Sequence, residues 1–360
     1  MNTSILPFPQ LLTPPIKRAA YSDRTGWLMA LLSKLAYIPF ENPSRDLKER
    51  DLCNLQTQLA QLHFQLIKTF SIHVPWGTDT QAFLAKIDQE GREPFIVLSF
   101  RGTEGGKIED LKTDLNAKAM VLGRLGGPGH NRVIPIDQWN ASADEQTWPL
   151  VKVHPGFWQA FEAVRPDIET TLSQSALKDL PLYITGHSLG GAIAIVATYV
   201  LASDRIAACY TFGAPRVGNM EFGQSIKVPI YRFINANDIV PHLLPGMALD
   251  VVTRMFGLFR FVPIAGRVIR FLNSYREYRH FGDLRYFSGA VELPREDGRP
   301  SYKGLSLYAN PPQLQRWCWS LRRLLRRGPT AMFYDHKIDQ YINKLACWAY
   351  ARLEVKGELS

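Results

Sequence analysis

The chain has 360 residues and a formal net charge of +9 at pH 7, with 46% hydrophobic and 21% charged residues. This length and composition allow a sizeable core and exclude a disordered chain. No uninterrupted apolar run reaches the roughly 20 residues that a membrane-spanning helix needs, so we expect no transmembrane segment.

The first 20 residues are expected to form an N-terminal extension. Four prolines interrupt their short apolar patches, and the basic start, continuous apolar core and cleavage site of a secretory signal are missing. The four cysteines are scattered, without CxxC or Cys/His metal spacing, and are interpreted as reduced thiols. We therefore expect a cytoplasmic protein; one disulfide in an exported protein is the alternative.

Two amphipathic helices are predicted first, because leucines recur at helical spacing over residues 22–38 and 44–62. Ser22 or Asp23 can cap the first helix, and Pro39 ends it. Apolar segments then predict strands over residues 64–74, 81–87 and 95–100.

From residue 156 onward, predicted helices alternate with nearly continuous apolar strands. This alternation indicates an α/β fold with a mostly parallel central sheet and helices on both faces. No linker separates two units, so one domain is expected over residues 21–360. The predicted helices are 156–177 (with a restart at Pro166 as an option), 190–203, 219–227 and 338–353, and the predicted strands are 182–186, 206–213, 230–236 and 284–289.

The segment Gly186-His187-Ser188-Leu189-Gly190 lies directly between a predicted strand and a predicted helix. A serine on such a sharp turn is strained, and its hydroxyl is exposed above the edge of the sheet. Glycines are needed because side chains at 186 and 190 would collide with the neighbouring strand or helix. The pattern predicts Ser188 as the nucleophile of an α/β-hydrolase fold; a purely structural turn is the alternative.

A serine hydroxyl needs a histidine base and an acid that orients the base. In this fold the chain order is serine, acid, histidine, with the acid after a later strand. Asp238 follows the predicted strand at 230–236 and is the expected acid. Asp204 is the competitor, but it precedes a strand and is better explained as a solvated loop charge.

Three histidines follow both the serine and the acid. His242 lies too near Asp238 in a proline-flanked loop, and His280 precedes a predicted strand, where packing or a local hydrogen bond is expected. His336 lies in a predicted loop just before the helix at 338–353, which is where this fold delivers its base. His336 is the predicted base, and His280 is the alternative.

An oxyanion hole needs two donors that converge on one oxygen. The backbone N–H of Leu189, the residue after the nucleophile, is expected to be one of them. Thr103, which follows the strand at 95–100, can offer its N–H and its hydroxyl as the other. An ordinary turn at Thr103 is the alternative.

With these residues assembled, the chain from about Trp27 to Tyr341 resembles the class 3 lipase family, which includes secreted triacylglycerol lipases of filamentous fungi. The resemblance implies Ser188 as nucleophile, Asp238 as acid, His336 as base, and Thr103 with Leu189 as oxyanion donors. It also implies that the RHFG segment contains a non-catalytic histidine. The segments that carry it are SFRGTE (99–104), VHPGF (153–157), ITGHSLGGA (184–192), TFGAPRVGN (211–219), NDIVPHLLP (237–245) and YDHKIDQYI (334–342).

The chain departs from the family pattern in three respects. The secretory signal and disulfides of the fungal enzymes are absent, and insertions are expected near 118–150 and 246–279. The family's lid corresponds to residues 104–118, which are rather polar here.

The positive charge is concentrated between residues 251 and 330, which hold 15 Lys and Arg against 5 Asp and Glu. Two segments, 243–276 and 313–327, combine arginines with large apolar residues, as helices in an anionic membrane interface do. Peripheral membrane contact is one interpretation. The others are an apolar face packed on the core with a solvated basic face, and nucleic-acid binding, for which no motif appears.

The sequence therefore predicts a serine carboxylic-ester hydrolase that acts on lipid acyl esters through an acyl-enzyme, without cofactor or metal. A phospholipase or short-chain esterase on the same residues is an alternative. A non-catalytic membrane-binding or scaffold protein is the alternative of another class.

Overall fold

The computed structural model of the protein describes residues 9–12, 20–40, 44–72, 80–87, 89–90, 93–103, 120–125, 133–135, 149–242, 278–293, 301–328 and 330–356. The expected lid region 104–118 and the basic segment 243–276 lie outside these residues, as does the insertion 246–279 apart from Tyr278 and Arg279. Most of the N-terminal extension also lies outside them. The division into an extension and one domain stays a prediction.

An eight-stranded sheet forms the centre of the fold, in the order β1-β2-β3-β7-β8-β9-β10-β13. The five strands from β3 to β10 in this order are parallel to one another, and β1, β2 and β13 are added antiparallel at the edges. The expected mostly parallel sheet is confirmed. Its strands are β1 (Phe64–Ile72), β2 (Thr80–Ile87), β3 (Ile96–Phe100), β7 (Leu182–His187), β8 (Ile206–Phe212), β9 (Ile230–Asn235), β10 (Asp283–Phe287) and β13 (Leu307–Ala309).

Two smaller sheets accompany the central one. A three-stranded sheet falls within the predicted insertion at 118–150 and the residues after it, and its strands were not predicted because they are short and lack a clear alternating pattern. Its strands are β4 (Met120–Leu125), β5 (Val133–Pro135) and β6 (Leu150–Val153), and a two-stranded sheet consists of β11 (Val291–Glu292) and β12 (Tyr302–Lys303).

Helices cover both faces of the central sheet. They are α1 (Asp23–Leu35), α2 (Arg45–Gln61), α3 (Pro155–Leu172), α4 (Leu189–Leu201), α5 (Met220–Ser225), α6 (Gln313–Arg327), α7 (Ala331–His336) and α8 (Ile338–Lys356). Helices α1 and α8 pack together on one face, and α3 and α4 pack on the other, each with its own buried apolar cluster. Every residue of β7, β8 and β9 is buried, because helices cover both faces of the sheet there. The nearly continuous apolar runs of these strands predict this burial.

Helix α3 passes through Pro166 without a break and ends at Leu172. The proline removes one backbone hydrogen bond. Arg165 spans this position, because its guanidinium contacts Glu162 on one side, at 3.1 Å, and Glu169 on the other, at 2.8 Å. The predicted restart at Pro166 is therefore wrong, since ion pairs across the proline support a continuous helix.

Helix α6 places Arg323 and Trp319 against the protein and leaves several large apolar side chains outward. Arg323 is buried, whereas Leu314 and Leu325 are 74% and 78% exposed. Leu321 and Trp317 are exposed on the same outer side. For residues 313–327, the interpretation of an apolar face packed on the core holds for Trp319, which packs against the buried cluster containing Tyr286. It does not hold for the exposed leucines, and a buried ion pair of Arg323 holds the inner side of the helix against the protein.

We expect Leu32→Ala to lower the free energy of unfolding by about 2–5 kcal/mol, because Leu32 is fully buried in the apolar cluster that α1 shares with α8 and its loss leaves a cavity. Urea unfolding checks this. Leu47→Ala is the matched control, because Leu47 lies partly exposed on α2. Equal losses in the two variants would contradict the assignment of Leu32 to the core.

Candidate active site

Ser188 occupies a strained turn between the end of β7 and the start of α4. Its backbone angles are φ 57° and ψ −129°, in a region that residues with a side chain seldom adopt. The turn closes because Gly186 and Gly190 touch: a Cβ on Gly186 would lie 2.3 Å from the carbonyl group of Gly190. The predicted steric need for these glycines is confirmed.

The side chains of Ser188, Asp238 and His336 form one hydrogen-bonded chain. Ser188 Oγ lies 3.0 Å from His336 Nε2, and His336 Nδ1 lies 2.8 Å from Asp238 Oδ1. All three residues are buried, and Asp238 is inaccessible to solvent. With Nδ1–H donating to the carboxylate, Nε2 is free to accept the serine proton, which is the arrangement of a serine nucleophile with its base.

The base lies at the last residue of the short helix α7, and α8 begins after Lys337. The prediction that His336 lies in a loop is therefore wrong, because the six residues before Lys337 form a short helix. Asp238 follows β9, as predicted, and its backbone N–H donates to Asn235 at 2.8 Å. The acid and the base therefore come from neighbouring points at the carboxyl edge of the sheet.

Two further donors fix the carboxylate of Asp238. The backbone N–H of Val240 donates to Oδ1 at 2.9 Å, and the hydroxyl of Tyr341 donates to Oδ2. Burial and the charge of Asp238 raise the pKa of Tyr341 well above its ordinary value, so it remains a phenol that can donate. Sequence reasoning missed Tyr341, although it lies in the YDHKIDQYI segment, in the second turn after His336.

The ring of His187 links Tyr37, two residues after the end of α1, to the backbone of His336. Its Nδ1 lies 2.7 Å from the Tyr37 hydroxyl, and its Nε2 lies 2.7 Å from the carbonyl oxygen of His336. Because a carbonyl only accepts, Nε2 carries the hydrogen and Nδ1 accepts from Tyr37. Burial, reinforced by the nearby His336, lowers the pKa of His187 to about 3, so the ring is neutral.

Asp335, immediately before the base, ties α6 to the acid loop. Its carboxylate pairs with the buried guanidinium of Arg323 and accepts the backbone N–H of Asn237 at 3.1 Å. The side chain of Asn237 in turn donates to the carbonyl of Ser320 on α6, at 2.9 Å. Only the position of Asp335 next to His336 hints at these contacts in the sequence.

Beneath this cluster, the ammonium group of Lys344 donates to the side-chain oxygen of Asn235 at 2.6 Å. The amide nitrogen of Asn235 donates to the carbonyl of Asp335 at 2.8 Å. Burial lowers the pKa of Lys344 to about 8. A polar network therefore supports the acid and base segments from below.

The strand that precedes Thr103 reaches the serine turn directly. A Cβ on Gly102 would lie 3.2 Å from Ser188 Cβ and 2.5 Å from the carbonyl oxygen of His187. Thr103 follows Gly102 and is half-buried. Leu189 is the first residue of α4, and the first N–H groups of a helix have no partner within it. Leu189 therefore follows Ser188 directly, and Thr103 follows the residue that approaches Ser188.

The rejected candidates lie apart from this cluster. Asp204 is exposed between α4 and β8, and His280 Nε2 lies 2.9 Å from the carbonyl oxygen of Pro241, the local hydrogen bond that was expected. His242 ends a 3-10 helix, Val240–His242, and its side chain lies outside the described residues.

Within the described part of the chain, no group of three or more His, Cys, Asp or Glu residues is placed to hold a metal ion. The four cysteines, all in that part, are thiols rather than disulfides. A search of the described helices finds none with the length and apolarity needed to cross a bilayer.

The mostly parallel sheet, the strained serine between strand and helix, and the serine–acid–histidine order define an α/β-hydrolase fold. A crystal structure of mono- and diacylglycerol lipase from Aspergillus oryzae shares this fold. It aligns with 91% of this chain and 99% of its own, at a TM-score of 0.54 and 19% sequence identity.

The sequence model of the family described as Lipase (class 3) matches residues 97–247. Secreted mono- and diacylglycerol lipase 1 of Fusarium solani is 34% identical over 169 residues, which are 44% of this chain and 49% of that protein. Triacylglycerol lipase OBL1 of Arabidopsis thaliana is 30% identical over 254 residues, covering 59% and 48%. The chain thus spans about half the length of these relatives, and the match over residues 97–247 confirms the resemblance to the class 3 lipase family.

The buried, neutral His187 should make stability depend on pH. Because its folded pKa of about 3 lies below the ordinary 6.5, the unfolded chain binds an extra proton between these values. The stability contributed by the neutral ring is complete above pH 6.5 and is lost as pH falls, at up to about 1.4 kcal/mol per pH unit. Urea unfolding of the wild type should therefore have a steeper pH slope between pH 4 and 6.5 than that of His187→Gln.

Other titrating groups are common to both proteins, so the difference in slope isolates His187. Identical slopes would mean that the folded protein accepts a proton on this ring, contrary to its contacts.

Proposed function

We propose that the protein hydrolyses acyl esters of lipids, with Ser188 as nucleophile, His336 as base and Asp238 as the acid that orients the base. The observation that carries the proposal is the continuous hydrogen-bonded chain from Ser188 Oγ to the Asp238 carboxylate. A serine in an ordinary structural turn has no need of a buried histidine and carboxylate aligned behind it.

The first half of the reaction forms an acyl-enzyme. His336 Nε2 takes the proton from Ser188 Oγ while that oxygen attacks the ester carbonyl carbon. Backbone N–H groups at Thr103 and Leu189 stabilise the resulting oxyanion. The bond to the alcohol oxygen then breaks, and His336 returns its proton to the departing alcohol.

The second half restores the enzyme. His336 takes a proton from water, the resulting hydroxide attacks the acyl carbonyl, and Ser188 Oγ leaves and regains the proton, releasing a carboxylic acid. The Asp238 carboxylate stabilises the imidazolium that forms twice. Tyr341 and the Val240 N–H support this role, because they hold the carboxylate in the orientation that faces Nδ1.

The lipid nature of the substrate is supported by the relatives, whose names describe lipases acting on mono-, di- and triacylglycerols. The outward apolar side of α6 supports it independently. Leu314, Trp317, Leu321 and Leu325 recur at helical spacing on that side. The exposed Arg322 and Arg326 flank them, as in helices that lie in an anionic lipid interface.

We expect Ser188→Ala to lower the rate of hydrolysis of p-nitrophenyl acyl esters by roughly ten-thousand-fold or more, because the nucleophile is lost. His336→Ala should be similarly inactive, since the hydroxyl then has no base. His280→Ala is the matched control: it removes a histidine that hydrogen-bonds the same acid loop without touching Ser188, and it should keep most of the activity.

Retention of most activity by Ser188→Ala would contradict the proposed nucleophile. Inactivity of His280→Ala combined with an active His336→Ala would show that His280, and not His336, is the base.

The double variant Leu321→Ser/Leu325→Ser should bind vesicles containing anionic phospholipid about tenfold more weakly or worse, because two side chains no longer enter the apolar layer. Its rate on a soluble short-chain ester should stay near that of the wild type. Vesicle co-sedimentation and the two rate measurements check this.

Val355→Ser is the control, because Val355 is 89% exposed on α8, away from the outer side of α6. Vesicle binding that is equally strong in the double variant and the control would refute the role of α6.

A further inference from the structure

Four arginines from separate parts of the chain converge beside β9. Arg232 projects from β9 on the opposite face from Phe233, which packs against α1. Arg216 lies in the loop after β8, and its guanidinium reaches the carbonyl oxygen of Tyr278 at 3.4 Å. Arg279 follows Tyr278 and bridges to Gly218 through its backbone, and Arg316 comes from α6.

The exposure of these side chains decreases in steps toward Arg232. Arg279 is exposed, Arg216 and Arg316 are half-buried, and Arg232 is only 6% exposed. The set therefore extends from the surface at Arg279 to the buried Arg232 on β9. We call these four residues the arginine recess.

The hydrogen-bonding groups of the arginine recess are incompletely used. Nε and Nη1 of Arg232 are buried without a hydrogen-bond partner, and so are the Nε atoms of Arg216 and Arg316. A buried charged donor that lacks a partner is costly, so native proteins seldom keep several of them together. Four such donors on three neighbouring arginines indicate a site that is completed by an acceptor.

The charge of the arginine recess is also uncompensated. Burial, with the nearby charges of Arg316 and Arg216, lowers the pKa of Arg232 to about 9. Burial and the charges of Arg279 and Arg316 likewise lower the pKa of Arg216 to about 10.

Among the described residues, Asp283 is the acidic group that acts on Arg232. Its two oxygens are already engaged, by Arg285 at 2.6 Å and by Asn310 at 2.6 Å. The arginine recess therefore keeps a net positive charge.

We propose that the arginine recess binds a phosphate-type oxyanion, either the phosphate of a lipid headgroup or free phosphate. Guanidinium groups match the oxygens of phosphate with paired hydrogen bonds, and several of them can share its three or four oxygens. A dianion offsets more of the fourfold positive charge than a carboxylate does. This inference concerns a second site, and it does not rest on the proposed hydrolysis.

The test is thermal unfolding of the full chain with inorganic phosphate at constant ionic strength, with chloride and acetate as reference anions. We expect millimolar phosphate to raise the Tm of the wild type by about 2 °C or more, and acetate to have a smaller effect. Arg232→Met should lose the response to phosphate. Without phosphate it should be at least as stable as the wild type, because removing an unpartnered buried charge relieves repulsion.

Arg165→Met on α3 is the matched control, since Arg165 pairs with glutamates outside the arginine recess. It should respond to phosphate as the wild type does. If Arg232→Met does not fold, Arg316→Met provides the same comparison from the half-buried side of the site, with the same expected loss of response.

Equal stabilisation of the wild type and the recess variants would overturn the proposal, as would a wild type that responds no more to phosphate than to acetate. Glycerol 3-phosphate, as a soluble headgroup, distinguishes the two sources. A response at concentrations at least about tenfold below those of inorganic phosphate supports the lipid headgroup, and a response no stronger than that of inorganic phosphate supports free phosphate.

Discussion

The carboxylate of Asp238 is the group on which the arrangement of the site depends. It is fully buried, and it accepts hydrogen bonds from His336, from the Val240 backbone and from Tyr341. A buried carboxylate is tolerated only when its oxygens have such partners. The acid loop, the short helix α7 and the start of α8 are therefore obliged to meet at one place, and Ser188 lies where that meeting point can reach it.

The same requirement extends outward through two neighbouring residues. Asp335 precedes the base and pairs with Arg323, while Asn237 precedes the acid and bonds the α6 backbone. On the other side, His187 precedes the nucleophile and hydrogen-bonds both the carbonyl of His336 and the hydroxyl of Tyr37, two residues after α1. Each of the three residues proposed to act in the reaction thus follows a residue whose side chain is anchored by hydrogen bonds.

Much of the central sheet could be predicted from the sequence, because apolar runs and helical periodicity report burial directly. The order of strand, Ser188 and helix, and the position of Asp238 after β9, follow from local patterns of this kind. The contacts of Tyr341, His187 and Asp335 could not be predicted, since they join residues about 100 to 150 positions apart. The orientation of α6 was also inaccessible: periodicity shows that a helix is amphipathic, but it does not tell which side faces the protein when a buried carboxylate can pair with an arginine.

Helix α6 is attached through few apolar contacts, and this has a consequence for motion. Its inner side is held by the Arg323 ion pair and by Trp319, which stacks on Tyr286 and Tyr308 with ring centroids 5.6 and 4.5 Å apart. Elements with little buried apolar area are the first to open in local unfolding. Because Asp335 and Asn237 are bonded to α6, an opening of this helix would also release the chain beside the base and the acid, so the alignment of the site depends on α6 staying in place.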